Sequence, residues 1–497
     1  AVRLVTQVGE KLHRPVTVAD LFNLPTPALL ATAITGPEST RGGIFTTPRP
    51  EVLPLSSSQQ RMWFSNQVDR RGYTVPVRLR LTGVLHRRAL EEALDDVIAR
   101  HEILRTFYPH TGGLPRQEIL PAAAGLVELE HRTVPAAELD ESVAVRAGSA
   151  FDLTTELPLK ASLFTAGDAG AESGVDGAEG AGEHVLLLLL HHIATDELSS
   201  GPLMNDLSLA YTARCEGRQV SWEPLPVQYA DYAVWQAALL DPEKLDEEMA
   251  RGLAYWKQTL TGMPEKIALP VDSPYPATPS PQAGAVDFLI PAETHRALAA
   301  LATRNSATLF MVMQAALAGV LSRHGAGDDI PIATPVAGRY DEALDDLIGC
   351  FINTICLRTP THAGMTFTEA LRAAREVMLG ALAHQDVPFE WVVKELRPNR
   401  SHSQTASFQV LLSLLHSLPD DVQLPGLAVA EEGGMQELTP GDLSLHLIAT
   451  GGQQGDPGDI RGHLSFRLDL FDEVSVRGLV DRFVRFLECV AVDPGVL

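Results

Sequence analysis

Apolar residues recur along this chain in two ways, every three to four positions in some segments and every second position or in unbroken runs in others. That mixture predicts an α+β protein. The most informative run is 185–190, Val-Leu-Leu-Leu-Leu-Leu, which has no polar position. Without a polar gap it predicts a strand buried on both faces, and Ser199-Ser200-Gly201-Pro202 just beyond it marks a sharp exit. Between them lies His191-His192-Ile193-Ala194-Thr195-Asp196-Glu197, at a strand end. Further strands are expected at 75–81, 157–164, 285–290, 329–336, 408–415, 443–448 and 464–470, with a turn and strand over 348–358. Helices are expected at 87–100, 135–148, 203–215, 292–303, 307–323, 367–383 and 473–492, and with interruptions over 229–260. Ser56 reads as the cap of another helix that turns Met62 and Trp63 inward.

These elements group into two bodies. The 497 residues exceed one ordinary core. A first lobe is expected over 53–225 and a second over 226–497, with Leu269-Pro270-Val271-Asp272 and the prolines 274, 276, 279 and 281 as an extended crossing. Residues 1–35 read as short helices unable to bury a core unaided, and 36–52 as a Gly/Pro/Ser/Thr linker. A flexible linker of that length spans roughly 20 Å and leaves the first segment free to reorient. The Gly/Ala/Asp/Glu stretch 166–182 reads as a disordered surface insertion.

Charge and cysteines narrow the function classes. Lys+Arg 39 against Asp+Glu 63 gives a net −24, which repels nucleic acid and anionic membranes. Four scattered cysteines, 215, 350, 356 and 489, fit neither a zinc site nor a disulfide framework and read as reduced core thiols. No apolar run approaches the roughly 20 residues of a membrane span. A cytoplasmic location and a metal-free site are the expectation.

A histidine at a strand end has rigid support and an open approach, and it titrates near neutral pH. Asp196, four residues beyond His192, would lock the loop either beside the imidazole or on a remote arginine. His101, in Arg100-His101-Glu102 at a helix end, reads as a paired structural histidine.

Taken together, six motifs carry a resemblance. His191-His192-x-x-x-Asp196, Ser56-x-Ser58-Gln59-x-Arg61-Met62-Trp63, Arg100-His101-Glu102-x-Leu104-Arg105-Thr106, Tyr229-x-Asp231-Tyr232-Ala233-Val234-Trp235, Ile348-Gly349-x-Phe351-x-Asn353-Thr354 and His384-Gln385-Asp386-x-Pro388-Phe389-Glu390 fall in one order along the chain. The stretch from Leu53 onward resembles the condensation domains of nonribosomal peptide synthetases, and residues 1–35 resemble the C-terminal part of a peptidyl carrier protein whose phosphopantetheine-bearing serine would lie upstream of Ala1.

The resemblance implies two chloramphenicol-acetyltransferase-like lobes in a V shape with a central tunnel. Donor and acceptor peptidyl carrier proteins would bring thioesters on phosphopantetheine arms, beside an adjacent adenylation domain. It implies a catalytic set of His192, His191 and Asp196, with His192 the active-site histidine, either taking the amine's proton or stabilising the tetrahedral intermediate, and Asp196 mainly structural. Arg339 and Arg61 would support the site, and Glu197, Ser199, Asn353 and Thr405 would line the tunnel. Two positions depart from the family pattern: Glu197 stands where glycine is usual, and Ser403-Gln404-Thr405-Ala406-Ser407-Phe408-Gln409 replaces Ser-Arg-Asn-Pro-Leu-Phe-Gln. Three alternatives share the same sequence features: an epimerisation domain, a non-catalytic platform that recruits a partner enzyme, and a free-standing acyltransferase using coenzyme A.

Overall fold

A computed structural model describes residues 43–70, 72–123, 125–167, 182–241, 243–277, 280, 282–339, 341–396, 408–416, 423–432, 441–451 and 456–495, and, before these, 4–5, 8, 11–12, 16, 18–24 and 26–33. Two large sheets organise it. Counting their strands in chain order, β1 is Thr74–Gly83, β2 Leu129–Val134, β3 Leu159–Ala166, β4 Gly182–His191, β5 Ala283–Ile290, β6 Asp329–Val336, β7 Asn353–Pro360, β8 Val410–His416, β9 Leu427–Glu431, β10 Leu443–Gly451 and β11 Pro457–Arg467. The first sheet runs β9-β1-β4-β3-β2 and the second β7-β6-β8-β10-β11-β5.

The run that opened the sequence reading is the central strand of the first sheet. Residues 185–190 are each at most 1% exposed because β4 lies between β1 and β3 and is covered on both faces. The helices Arg87–Arg100 and Ser200–Cys215 contribute Leu90, Leu94, Leu203 and Leu207 to its core. A second core joins Leu443, Leu445 and Leu447 of β10 to the helices Ala292–Arg304, Leu309–Leu321 and Glu473–Val492. Five expected elements match with end shifts of at most one residue: 87–100, 292–303, 329–336, 367–383 and 473–492.

Where the structure departs from expectation, the reason is tertiary. The expected strand at 464–470 spans 457–467 instead, because Gly458 and Gly462 weaken its pattern. At Gly462 the Phe288 ring of β5 lies where a Cβ would stand, 2.2 Å away, so the gap is filled from the next strand. A division at 225/226 does not separate the two cores. Tyr229 and Tyr232 pack into the first core, as do Leu344, Leu347, Ile348, Cys350 and Phe351 from the connection between β6 and β7. Strand β9 also crosses to pair antiparallel with β1. Arg80 of β1 anchors that crossing through Glu432, with Glu183 and Asp140 as further partners.

The latter half of the expected free linker is docked. Ile44 is buried in the first core, and its N–H donates to Asp341 Oδ2 at 2.7 Å. Arg49 grips Asp231 at 2.9 Å and Glu102 at 2.8 Å. The first segment is held as well: Val5 and Val18 join the second core, and Arg375 donates to Asn23 Oδ1 at 2.7 Å. The expected insertion lies, over 168–181, outside the described residues. Among the cysteines, Cys350 and Cys356 are buried, whereas Cys489 is exposed and so is no core thiol.

Candidate active site

Strand β4 ends at His191, and the backbone N–H of His192 donates to the Tyr73 carbonyl at 2.8 Å, which fixes where the chain leaves the sheet. The two histidines then part. His191 is fully buried, packed edge-on to Phe151 with ring centres 5.8 Å apart, and its Nδ1 accepts the Ile193 N–H at 3.1 Å. Burial, with His192 beside it, pushes its pKa down to about 3, so the ring is neutral. This corrects its place in the catalytic set: His191 positions the turn and has no open face.

His192 remains partly exposed. Its Nδ1 lies 2.7 Å from the Thr195 carbonyl, an acceptor, so Nδ1 carries the proton and Nε2 presents a lone pair. Burial lowers the His192 pKa, opposed by Asp196 and assisted by the nearby Arg61 guanidinium. The ring is thus a neutral base held in one tautomer.

Asp196 resolves the choice left open by the sequence in favour of the remote arginine. Its Oδ1 accepts from Arg339 Nη2 at 3.0 Å and from Ser199 N at 2.9 Å, and its Oδ2 accepts from Phe351 N at 3.0 Å. Arg339 also donates to the Leu344 and Leu347 carbonyls, at 2.5 and 2.8 Å, and stands 4.3 Å above the Phe351 ring. This pair joins the loop after β4 to the chain after β6, and its side chains are only 1% and 5% exposed. Gly338 makes the approach feasible: its φ is +64°, and a Cβ there would lie 1.9 Å from the Phe351 carbonyl oxygen.

A second bridge runs from Arg61, on the helix Ser57–Val68, to Glu390 Oε1 at 3.0 Å and Thr354 Oγ1 at 3.4 Å. The same helix begins with the expected cap, Ser56 receiving the Gln59 N–H at 3.1 Å. Ser56 Oγ then donates to the Tyr229 hydroxyl, which donates to the Cys350 carbonyl, at 2.8 and 2.6 Å. Three motifs far apart in sequence therefore meet in one hydrogen-bonded chain. His101 pairs with Asp206 at 2.8 Å, alongside Arg100 on the same carboxylate.

The expected tunnel residues divide. Ser199 is fully buried and engaged with Asp196, Arg339 and Gly349, so it is a keystone of the loop and no lining residue. Asn353 spends every hydrogen-bonding position of its amide, donating to the Gln385 and Val387 carbonyls and accepting from Thr354 N and Phe389 N. It clamps the 384–390 turn and stays partly exposed. Thr405 lies outside the described residues. Glu197 is exposed to solvent yet crowded by protein on most sides, and that crowding, with Asp196 next to it, pushes its carboxyl up to about 7. Sequence reasoning missed the contact between Arg61 and Glu390, both quoted in motifs, because nothing local signals a pairing across 329 positions. No group of three or more His, Cys, Asp or Glu among the described residues has metal-holding geometry, and no single helix among them is long and apolar enough to cross a membrane.

The site is thus a partly exposed histidine on the loop after a central strand, braced by a buried ion pair between two mixed sheets. The family model described as Condensation domain matches residues 50–496, and the chain belongs to that family, as a condensation domain of nonribosomal peptide synthetase type. It is 42% identical, over its whole length, to a probable non-canonical nonribosomal peptide synthetase, CymA, of Salinispora arenicola, and 39% identical, over 99% of its length, to a dimodular nonribosomal peptide synthase of Bacillus subtilis. It spans 6% and 20% of those relatives. Among solved structures, the X-domain from teicoplanin biosynthesis superposes with a TM-score of 0.82 at 35% identity, covering 91% of this chain and 98% of that one. The first condensation domain of the CDA synthetase, at 22% identity and a TM-score of 0.66, shares the chloramphenicol-acetyltransferase-like fold.

Proposed function

We infer that the chain joins a carrier-bound aminoacyl or peptidyl thioester to the amine of a second carrier-bound aminoacyl group. The observation that carries this reading is the His192 ring, neutral, fixed through Nδ1 and open at Nε2. The amine nitrogen attacks the thioester carbonyl carbon; a C–N bond forms and the C–S bond breaks. Nε2 takes the proton from the attacking nitrogen and returns it to the departing thiolate. A thioester is already activated, so most of the rate gain comes from holding amine and carbonyl in near-attack geometry. Phosphopantetheine enters as the tether of each substrate, borne by donor and acceptor carriers, with an adenylation domain as the source of loaded acceptor. Residues 1–35 fit the end of the donor carrier and 36–52 its linker, with the bodies built on the two sheets forming the walls of a shared passage to His192.

His192→Ala is expected to abolish dipeptidyl-carrier formation, read by mass spectrometry of loaded carriers, while leaving the melting temperature unchanged. Near-normal turnover refutes the reading. A second reading, a partner-recruiting domain, draws support from the complex of the teicoplanin X-domain with OxyB and from Glu197 beside the histidine motif. Absent peptide formation by the parent, with equal partner binding by parent and His192→Ala, would favour it.

A further inference from the structure

The second sheet carries a polar row that the histidine site does not use. Ser413 of β8, His446 of β10, His463 of β11 and Asp287 of β5 are register partners on four adjacent strands. Side chains alternate faces along a strand, and Leu412, Leu445 and Leu464 point into the second core, so this row points the other way. Its neighbours on that face are mixed, Leu411, Ile448 and Leu289 beside Ser444, Ser465 and Arg461.

The row is hydrogen-bonded at both ends. His446 Nδ1 lies 2.8 Å from Ser413 Oγ, and His463 Nδ1 lies 2.7 Å from Asp287 Oδ1. The rings are 6.4 Å apart between centres. His463 is 7% exposed, yet its buried Nε2 has no hydrogen-bond partner among the described residues. An unmet polar atom in such a place calls for a partner. The Asp287 carboxylate accepts from Nδ1, which leaves the His463 Nε2 position turned toward His446. Burial, with His463 nearby, pushes His446 down to about 4, so it is neutral, and with Nδ1 engaged by Ser413 its Nε2 is the ring position left for a partner.

The row also leads toward the site. Ala333 of β6 pairs with Leu411, so Pro335 is level with Ser413, and Pro335 pairs with Thr354, the hydroxyl that Arg61 reaches. From Thr354 to His446 is three strand spacings, roughly 14 Å. That exceeds the reach of one amino-acid side chain and equals about four extended residues.

We propose that His446 and His463 form a subsite for a secondary amide of the tethered substrate, their Nε2 positions meeting its carbonyl and its N–H. The proposal rests on the peptide-forming reading for its substrate; two parts of that substrate carry such an amide, the peptidyl backbone several residues from the thioester and the pantetheine arm. The test measures KM and kcat for His446→Leu, His463→Leu and His463→Gln with carrier-bound donors from one to about six residues long and with soluble thioesters on a short thiol. Each Leu variant is expected to raise KM about fivefold to tenfold, the range of one net hydrogen bond, with a smaller change in kcat, and Gln is expected to restore most of it. A loss that grows beyond about four residues assigns the peptide backbone, and a loss at every length on the carrier but smaller on soluble thioesters assigns the arm. No loss, or equal loss on every substrate including soluble ones, overturns the subsite. Calorimetric binding of a carrier loaded with an unreactive amide-linked peptide separates the two readings. Absent product with five- to tenfold weaker binding in the variants fails the peptide-forming reading alone, and equal binding by parent and variants fails the subsite alone.

Discussion

Replacing Arg339 by methionine isolates the brace between the sheets. In the parent, Asp196 and Arg339 share one contact at 3.0 Å with side chains 1% and 5% exposed, and Arg339 also satisfies two buried carbonyls, of Leu344 and Leu347. Removing the cation leaves Asp196 with Ser199 and Phe351 as its remaining donors, a carboxylate in a dry site without a countercharge. Breaking a buried pair from one side costs about 3–5 kcal/mol, and the lost carbonyl partners place the expected value toward the upper end. Asp196→Asn should cost a similar amount by leaving the guanidinium unpaired. The double variant should be less destabilised than the sum by about 1–3 kcal/mol, since no buried charge is then left alone. Urea unfolding of the four proteins, followed by both fluorescence and circular dichroism, measures the cycle. A single variant within about 1 kcal/mol of the parent, or strict additivity, refutes the brace.

Three further expectations follow from the same geometry. His191, with an ordinary pKa near 6.5 when unfolded and about 3 when folded, binds a proton in the unfolded chain that the folded chain refuses. Its contribution is therefore present above about 6.5 and lost as pH falls toward 3, with a slope of up to about 1.4 kcal/mol per pH unit that His191→Phe should remove from the stability profile; an unchanged slope contradicts the neutral assignment. Glu197→Gln should erase an ionisation near pH 7 beside the base, seen as a flatter rate profile between about pH 6 and 8, and an identical profile would show that its charge does not reach His192. Arg49→Ala should loosen the docked stretch 43–52, seen as faster limited proteolysis within it, because Asp231 and Glu102 lose their shared partner; equal cleavage rates would mean that Ile44 alone holds it.

What the residues alone determined is local. The unbroken apolar run 185–190 specified a doubly covered strand, the serine before Ser57-Ser58-Gln59 specified a cap, and the order of six motifs specified the family. Periodicity and capping act within a few residues, so they survive without knowledge of the fold. The polar edge strand 129–134, the short crossing strand 427–431 and the helix 389–396 went unread, because their reasons are neighbours distant in sequence: β1 for the crossing strand, Arg61 for Glu390. Tertiary structure alone decided which of two adjacent histidines is open, that Asp196 faces an arginine 143 positions away, and that the polar positions 287, 413, 446 and 463 fall into one line. Burial and register are properties of the packed chain, and a side chain's chemistry depends on what surrounds it more than on what precedes it.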